Sequence, residues 1–166
     1  MQYASALAAG RVARAVVGPA ALPHVTLLHV ESDEDPAAVW REAEAAIAHE
    51  LPIELLCLGL LRYDTPYNAP AAPPGTMAWI IVPCTRALRD AEQTARALPF
   101  ARRAKVTTSN DDRFQPHVTL AIWDGESAPG TAVLPKELFG GRSVRARLAL
   151  GVIGANGTYE RSLFEA

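Results

Sequence analysis

The chain has 166 residues, 49% of them hydrophobic and 20% charged, with a net charge of −2. That length and composition fit a single folded domain with a substantial core. A chain so close to neutral is not built to coat long duplex nucleic acid by phosphate neutralisation, although a local cluster of arginines can still hold one phosphate.

Along the chain, Gln2 to Val17 reads as an Ala-rich helix ended by Gly18 and Pro19. Arg11 and Arg14 interrupt this stretch, so it lacks the unbroken apolar run of a signal peptide. His24 to Val30 is apolar and β-branched and reads as a strand. Asp35-Pro36 opens a helix, with a capping carboxylate and proline at the first helical position. That helix carries Val39, Trp40, Ala43, Ala46 and Ile47 at helical spacing and stops near Pro52. Ile53 to Tyr63 is a long apolar run and reads as a buried strand.

Asp64 to Gly75 holds four prolines, Pro66, Pro70, Pro73 and Pro74, and reads as a linker or flap between two lobes. Met77 to Val82 is then a strand and Thr85 to Leu98 a helix. Arg102 to Arg113 is a polar connection, and Pro116 to Trp123 a strand. Asp124 to Gly141 reads as loop with one helical turn at Pro135 to Phe139. Ser143 to Ile153 and Thr158 to Phe164 form a closing hairpin around Asn156-Gly157. The chain is α+β, a single two-lobed domain over 1–166 with a first half of 1–63, the linker at 64–75 and a second half of 76–166. No stretch approaches about 20 apolar residues, so no membrane span is expected. Cys57 and Cys84 lie in apolar segments, as reduced thiols of a cytoplasmic protein do.

The chemistry lies in a repeat. Leu22-Pro23-His24-Val25-Thr26-Leu27 is answered by Gln115-Pro116-His117-Val118-Thr119-Leu120, with Pro-His-Val-Thr-Leu identical in both. Threonine fills only ten of 166 positions, so one His-x-Thr says little, but two among four histidines with shared flanks say much. On a strand, residues i and i+2 share a face. His24 with Thr26, and His117 with Thr119, therefore point one way, while Val25, Leu27, Val118 and Leu120 point into the packed layer. Two such pairs facing across a cleft supply a neutral imidazole to deprotonate water, a protonated one to release the sugar oxygen, and hydroxyls for the phosphate oxygens.

These paired motifs resemble the two-histidine phosphoesterase superfamily, which includes 2′-5′ RNA ligase-like cyclic phosphodiesterases. Phe114-Gln115-Pro116-His117-Val118-Thr119-Leu120-Ala121 is very similar to that family's second motif. The resemblance implies a bilobal duplicated fold, with two antiparallel sheets and outer helices around a central groove lined by His24, Thr26, His117 and Thr119. It implies hydrolysis of a 2′,3′-cyclic phosphate on a nucleotide or RNA end with no metal; separately, a monomer with no cofactor and no membrane or long-duplex partner is the plain expectation. The alternative is a nucleotide- or RNA-binding module that keeps the fold without turnover. Members commonly begin with a strand, so Arg11 to Val17 is extended if this chain follows them. Basic residues often stand where this chain has Gln115, Ile122 and Trp123.

Other residues are weighed against ordinary packing. Trp123 falls at even spacing from His117 and Thr119, and with Tyr63, Tyr67 and Trp79 it is a candidate for stacking a base. Arg145 and Arg147 alternate on one strand face opposite Val144, Ala146 and Leu148, and are candidates for flooring a substrate-binding groove. Arg102, Arg103 and Lys105 read as a solvated basic run. His29, on the opposite strand face from His24, reads as a packing or capping residue, and His49 as a helix C-terminal histidine favoured by the dipole. Zinc held by His24, His29 and His117 is disfavoured by the alternating faces and by the absence of a ligand spacing such as H-E-x-x-H.

Overall fold

Local capping chemistry starts both long helices. In the computed structural model, which describes residues 13–16, 22–64, 75–108, 114–124, 142–154 and 159–166, α1 spans Pro36–Ile47 and α2 spans Arg86–Ala97. The Asp35 carboxylate accepts from the Ala37 N–H at 3.1 Å, and the Thr85 hydroxyl accepts from the Leu88 N–H at 3.3 Å. Each satisfies one of the donors that a helix start leaves unpaired. A short helix, α3, follows at Pro99–Arg103.

The strands are β1 (Ala13–Val16), β2 (Val30–Glu31), β3 (Ile53–Cys57), β4 (Gly59–Asp64), β5 (Gly75–Ile81), β6 (Lys105–Val106), β7 (His117–Asp124), β8 (Arg142–Ala146), β9 (Ala149–Ile153) and β10 (Tyr159–Glu165). The fold is α+β, and every ladder among the described residues is antiparallel. One sheet has the order β1-β7-β5-β4. The pairs β9–β10, β2–β6 and β3–β8 stand as separate two-stranded ladders.

Five expectations are corrected. Ala13–Val16 is a strand against β7, not the end of an Ala-rich helix, so the extended alternative holds there. His24 to Val30 is not a regular strand: pairing starts only at Val30, and the chain bends at Leu27. The run from Ile53 to Tyr63 divides at Leu58 into strands of different ladders, β3 on β8 and β4 on β5. Ser143 to Ile153 likewise divides, into β8 and β9. The polar connection from Arg102 also contains the end of α3 and all of β6. Pro135 to Phe139, Asn156-Gly157, Tyr67 and the four linker prolines lie outside the described residues.

A shared core holds these pieces. Trp40 and Ile47 of α1, Leu88, Ala91 and Ala95 of α2, Ile53 and Leu55 of β3, Val82 and Leu148 are buried together. Val25 and Leu27 of the first motif and Val118 of the second pack against this same cluster. The apolar residues of both Pro-His-Val-Thr-Leu segments thus anchor the motifs to one core.

Two members of the basic run near α3, Arg103 and Lys105, form exposed ion pairs. Arg103 lays its fork on the Glu34 carboxylate, at 2.8 Å from both Nε and Nη2, and Nη2 also lies 3.3 Å from Glu42. Glu42 accepts from the Phe100 N–H at 3.0 Å, which ties the start of α3 to α1. Lys105 is 2.8 Å from Glu31 across the β2–β6 ladder. The Arg103 guanidinium holds the Glu34 carboxyl below its ordinary value.

Candidate active site

Each motif histidine is fixed by the same short-range bond. The Nδ1–H of His24 donates to the Leu22 carbonyl at 2.9 Å, and that of His117 donates to the Gln115 carbonyl at 2.8 Å. A carbonyl only accepts, so Nδ1 carries the proton in both rings and the neutral imidazole has its lone pair on Nε2. The two segments reach this state from different backbones, one a bent coil and one the start of β7. What they share is the sequence around the histidine.

The two imidazoles lie within electrostatic range of each other. Burial lowers the His117 pKa from its ordinary value; the Gln115 carbonyl works against this, and the charge of His24 adds to it. His29 belongs to the same cluster, contrary to the expectation for a regular strand. Its Nε2 lies 3.2 Å from the Thr26 hydroxyl. Its pKa is lowered by burial first, then by the charges of His24 and His117. The bend at Leu27 is the cause. On a straight strand residues 26 and 29 would be about 10 Å apart along the chain, whereas here the turn brings the third histidine back onto the threonine. Among the described residues, no group of three or more His, Cys, Asp and Glu is arranged to hold a metal ion.

Register decides the remaining positions of the sheet. His117 pairs with Ile81 and Thr119 with Trp79, but Ala121 pairs with Ala78 and Trp123 with Thr76. Leu120 is therefore an extra residue, a bulge, and it inverts the alternation of faces beyond it. Position 123 falls on the opposite sheet face from positions 117 and 119, which corrects the reading from even spacing. Position 63 pairs with Met77 on β5 and shares the face of Trp79, His117 and Thr119.

A cleft of about 700 Å³ runs past the first motif. His24, Thr26, His29, Tyr159, Arg145 and Arg147 line it together with apolar core residues; His117 and Thr119 are not part of its lining. Arg145 is exposed on β8, opposite Glu54 in register and 4.0 Å from its carboxylate. Arg147 is exposed beyond the end of β8. So exposed an ion pair contributes little and leaves the guanidinium open to a better anion.

Sequence reading missed Tyr159. Its ring sits against His24, with centroids 5.4 Å apart, and its carbonyl accepts from the Leu22 N–H at 2.9 Å. The Tyr159 hydroxyl lies 3.0 Å from that of Ser162. Gly151 makes this packing fit, because a Cβ there would run into the Tyr159 ring and the Arg161 carbonyl. Gly151→Ala is expected to displace the ring from His24 and lower the rate of any reaction that uses this imidazole about tenfold, since small displacements of reacting groups are costly. Steady-state kinetics beside Tyr159→Leu would check this, and an unchanged rate in both would remove Tyr159 from the site.

No protein-family model, curated protein or solved structure matches the chain. Among the described residues no helix is long and apolar enough to cross a membrane.

Proposed function

We propose that this chain is a two-histidine phosphoesterase, which opens the 2′,3′-cyclic phosphate of a nucleotide or RNA end without a metal. The observation that carries the reading is the matched pair of Nδ1–H bonds to the carbonyls of Leu22 and Gln115. They fix one tautomer in both imidazoles, and the charge of His24 is felt at His117. The bilobal duplicated fold, with a groove between the two motif-bearing halves, is part of the same proposal.

In this reaction neutral His117 takes a proton from water through Nε2 as the water oxygen bonds to phosphorus. Protonated His24 gives its Nε2 proton to the departing sugar oxygen as the second phosphorus–oxygen bond breaks. One proton is taken and one given, and the product is a monophosphate beside a free hydroxyl. The hydroxyls of Thr26 and Thr119 donate to the non-bridging oxygens as negative charge gathers there. Arg145 and Arg147 hold the substrate phosphate, and Tyr63 is a base contact on the His117 sheet face. With a sugar 5′-hydroxyl in place of water, the same forward steps open the cyclic phosphate into a 2′-5′ linkage, the 3′-oxygen leaving with the proton from His24.

The test is turnover of the four 2′,3′-cyclic nucleoside monophosphates, and of an RNA ending in a cyclic phosphate, in excess chelator. Turnover that persists in chelator and is lost in His24→Ala and His117→Ala supports the reading. Tight binding of the same compounds without turnover would favour the binding module, which the position of His117 outside the cleft lining also suits.

A pH dependence follows from the assignment of His117. The base must be neutral, and its pKa is lowered, so it stays in the working form to a pH below the ordinary histidine value of 6.5. The acid limb of kcat/KM is accordingly expected with its midpoint below 6.5. A midpoint at or above that value would take the base role from His117.

A further inference from the structure

Beyond the shared Pro-His-Val-Thr-Leu the two segments diverge, and one difference bears on the threonine. Five residues after the motif histidine, the first has His29 and the second has Ile122. His29 is half-buried, its Nε2 lies 3.2 Å from Thr26 Oγ1, and its carbonyl accepts from the Thr107 N–H at 2.9 Å. That last bond extends the β2–β6 ladder by one pair and fixes the backbone from which the ring projects. The ring lines the same cleft as His24 and Thr26.

We infer that His29 is a positioning residue for Thr26: its Nε2–H donates to the threonine oxygen and so turns the hydroxyl proton outward, toward the oxygens of a bound phosphate. This rests on the phosphoesterase reading. A hydroxyl has one proton and two lone pairs. If Nε2 were the acceptor, Thr26 would spend its proton on His29 and present lone pairs to an anionic substrate. With Nε2–H as the donor, a lone pair is used internally and the proton remains for the phosphate. Burial and the neighbouring imidazoles favour the neutral form of His29, so it provides this donor without placing a third cation in the cluster. An isoleucine at the matching place in the second motif cannot do so. Thr26, unlike Thr119, is thereby committed to donate toward the phosphate before substrate arrives.

The experiment compares His29→Phe, His29→Gln, Thr26→Val and the double variant His29→Phe/Thr26→Val with wild type, beside His24→Ala. The expected result is a fall in kcat of about tenfold or more in His29→Phe with KM little changed, since a misaimed donor costs the transition state most. The Gln side-chain N–H reaches the place of Nε2 and restores much of the loss. In the Thr26→Val background, His29→Phe costs nothing further, which packing damage would not reproduce. Wild-type rates in His29→Phe while His24→Ala is dead would overturn this inference and leave the phosphoesterase reading intact. A wild type inert toward every cyclic phosphate would overturn that reading instead. Nitrogen NMR of the imidazoles then decides the hydrogen bond without any activity. Nε2–H on His29, shifted by Thr26→Val, supports it, and Nδ1–H with a bare Nε2 overturns it.

Discussion

Replacing His24 or His117 with alanine is expected to lower kcat on a 2′,3′-cyclic nucleotide by about 10²–10⁴-fold, the usual worth of one positioned acid or base. In the proposed mechanism each removes a different half of one proton exchange: without His117 the water would keep its proton, and without His24 the sugar oxygen would leave as an alkoxide. The double variant is expected to be about as slow as the worse single one, because residues that act as a unit do not add. Neither substitution unfolds the protein, since both rings are half-buried and their Nδ1 bonds are local to the segment. His49→Ala is the matched control. Its side chain is 69% exposed and lies beside Glu50, far from the other three histidines in role and environment. Rates that fall for only one of His24 and His117 would sink the paired mechanism while leaving a single-histidine catalyst.

The second large effect is on stability. Trp40 is 7% exposed and stacks on Phe164, with ring centroids 5.8 Å apart and planes 13° from parallel. Trp40→Ala is expected to cost about 3–5 kcal/mol, the transfer and cavity terms for a lost indole. Against a total of about 5–15 kcal/mol for a domain, that is a large part of the whole. Trp40→Phe keeps a ring against Phe164 and should cost less, about 1–2 kcal/mol. Urea unfolding followed by far-UV circular dichroism measures both. Val25, Leu27 and Val118 rest on the same cluster, so activity in Trp40→Ala should decline with the folded fraction. A cost below about 1 kcal/mol would mean the site does not share its support with α1.

Where the determinants are local, they are legible in sequence. Asp35 and Thr85 cap their helices as their positions require, because a cap needs only the next few amides. The motif around His117 reads as a strand and is one, paired with β5, while β1 joins β7 just beyond it. The same residues around His24 read identically and form a bent coil, because pairing depends on neighbours that the segment itself does not specify. From this follows the misreading of His29, whose parity holds only on a straight strand. The bulge at Leu120 is hidden for a similar reason, since an extra residue is defined only against the partner strand. Tyr159 comes to His24 from the far end of the chain, and nothing near either residue announces the contact.

The break at Leu58 works as a length gauge. On one side of it β3 carries the ladder that presents Arg145, and on the other β4 joins the sheet that presents His117. The two groups proposed to grip and to cleave one phosphate thus sit on ladders whose strands β3 and β4 meet at this joint. One residue added there would advance the chain by about 3.3 Å and reverse its parity. Both ladders could keep their internal pairing while the grip and the cutting edge fell out of step. Under the proposed reaction, an insertion at Leu58 is expected to change how a phosphoester fits between Arg145 and His117.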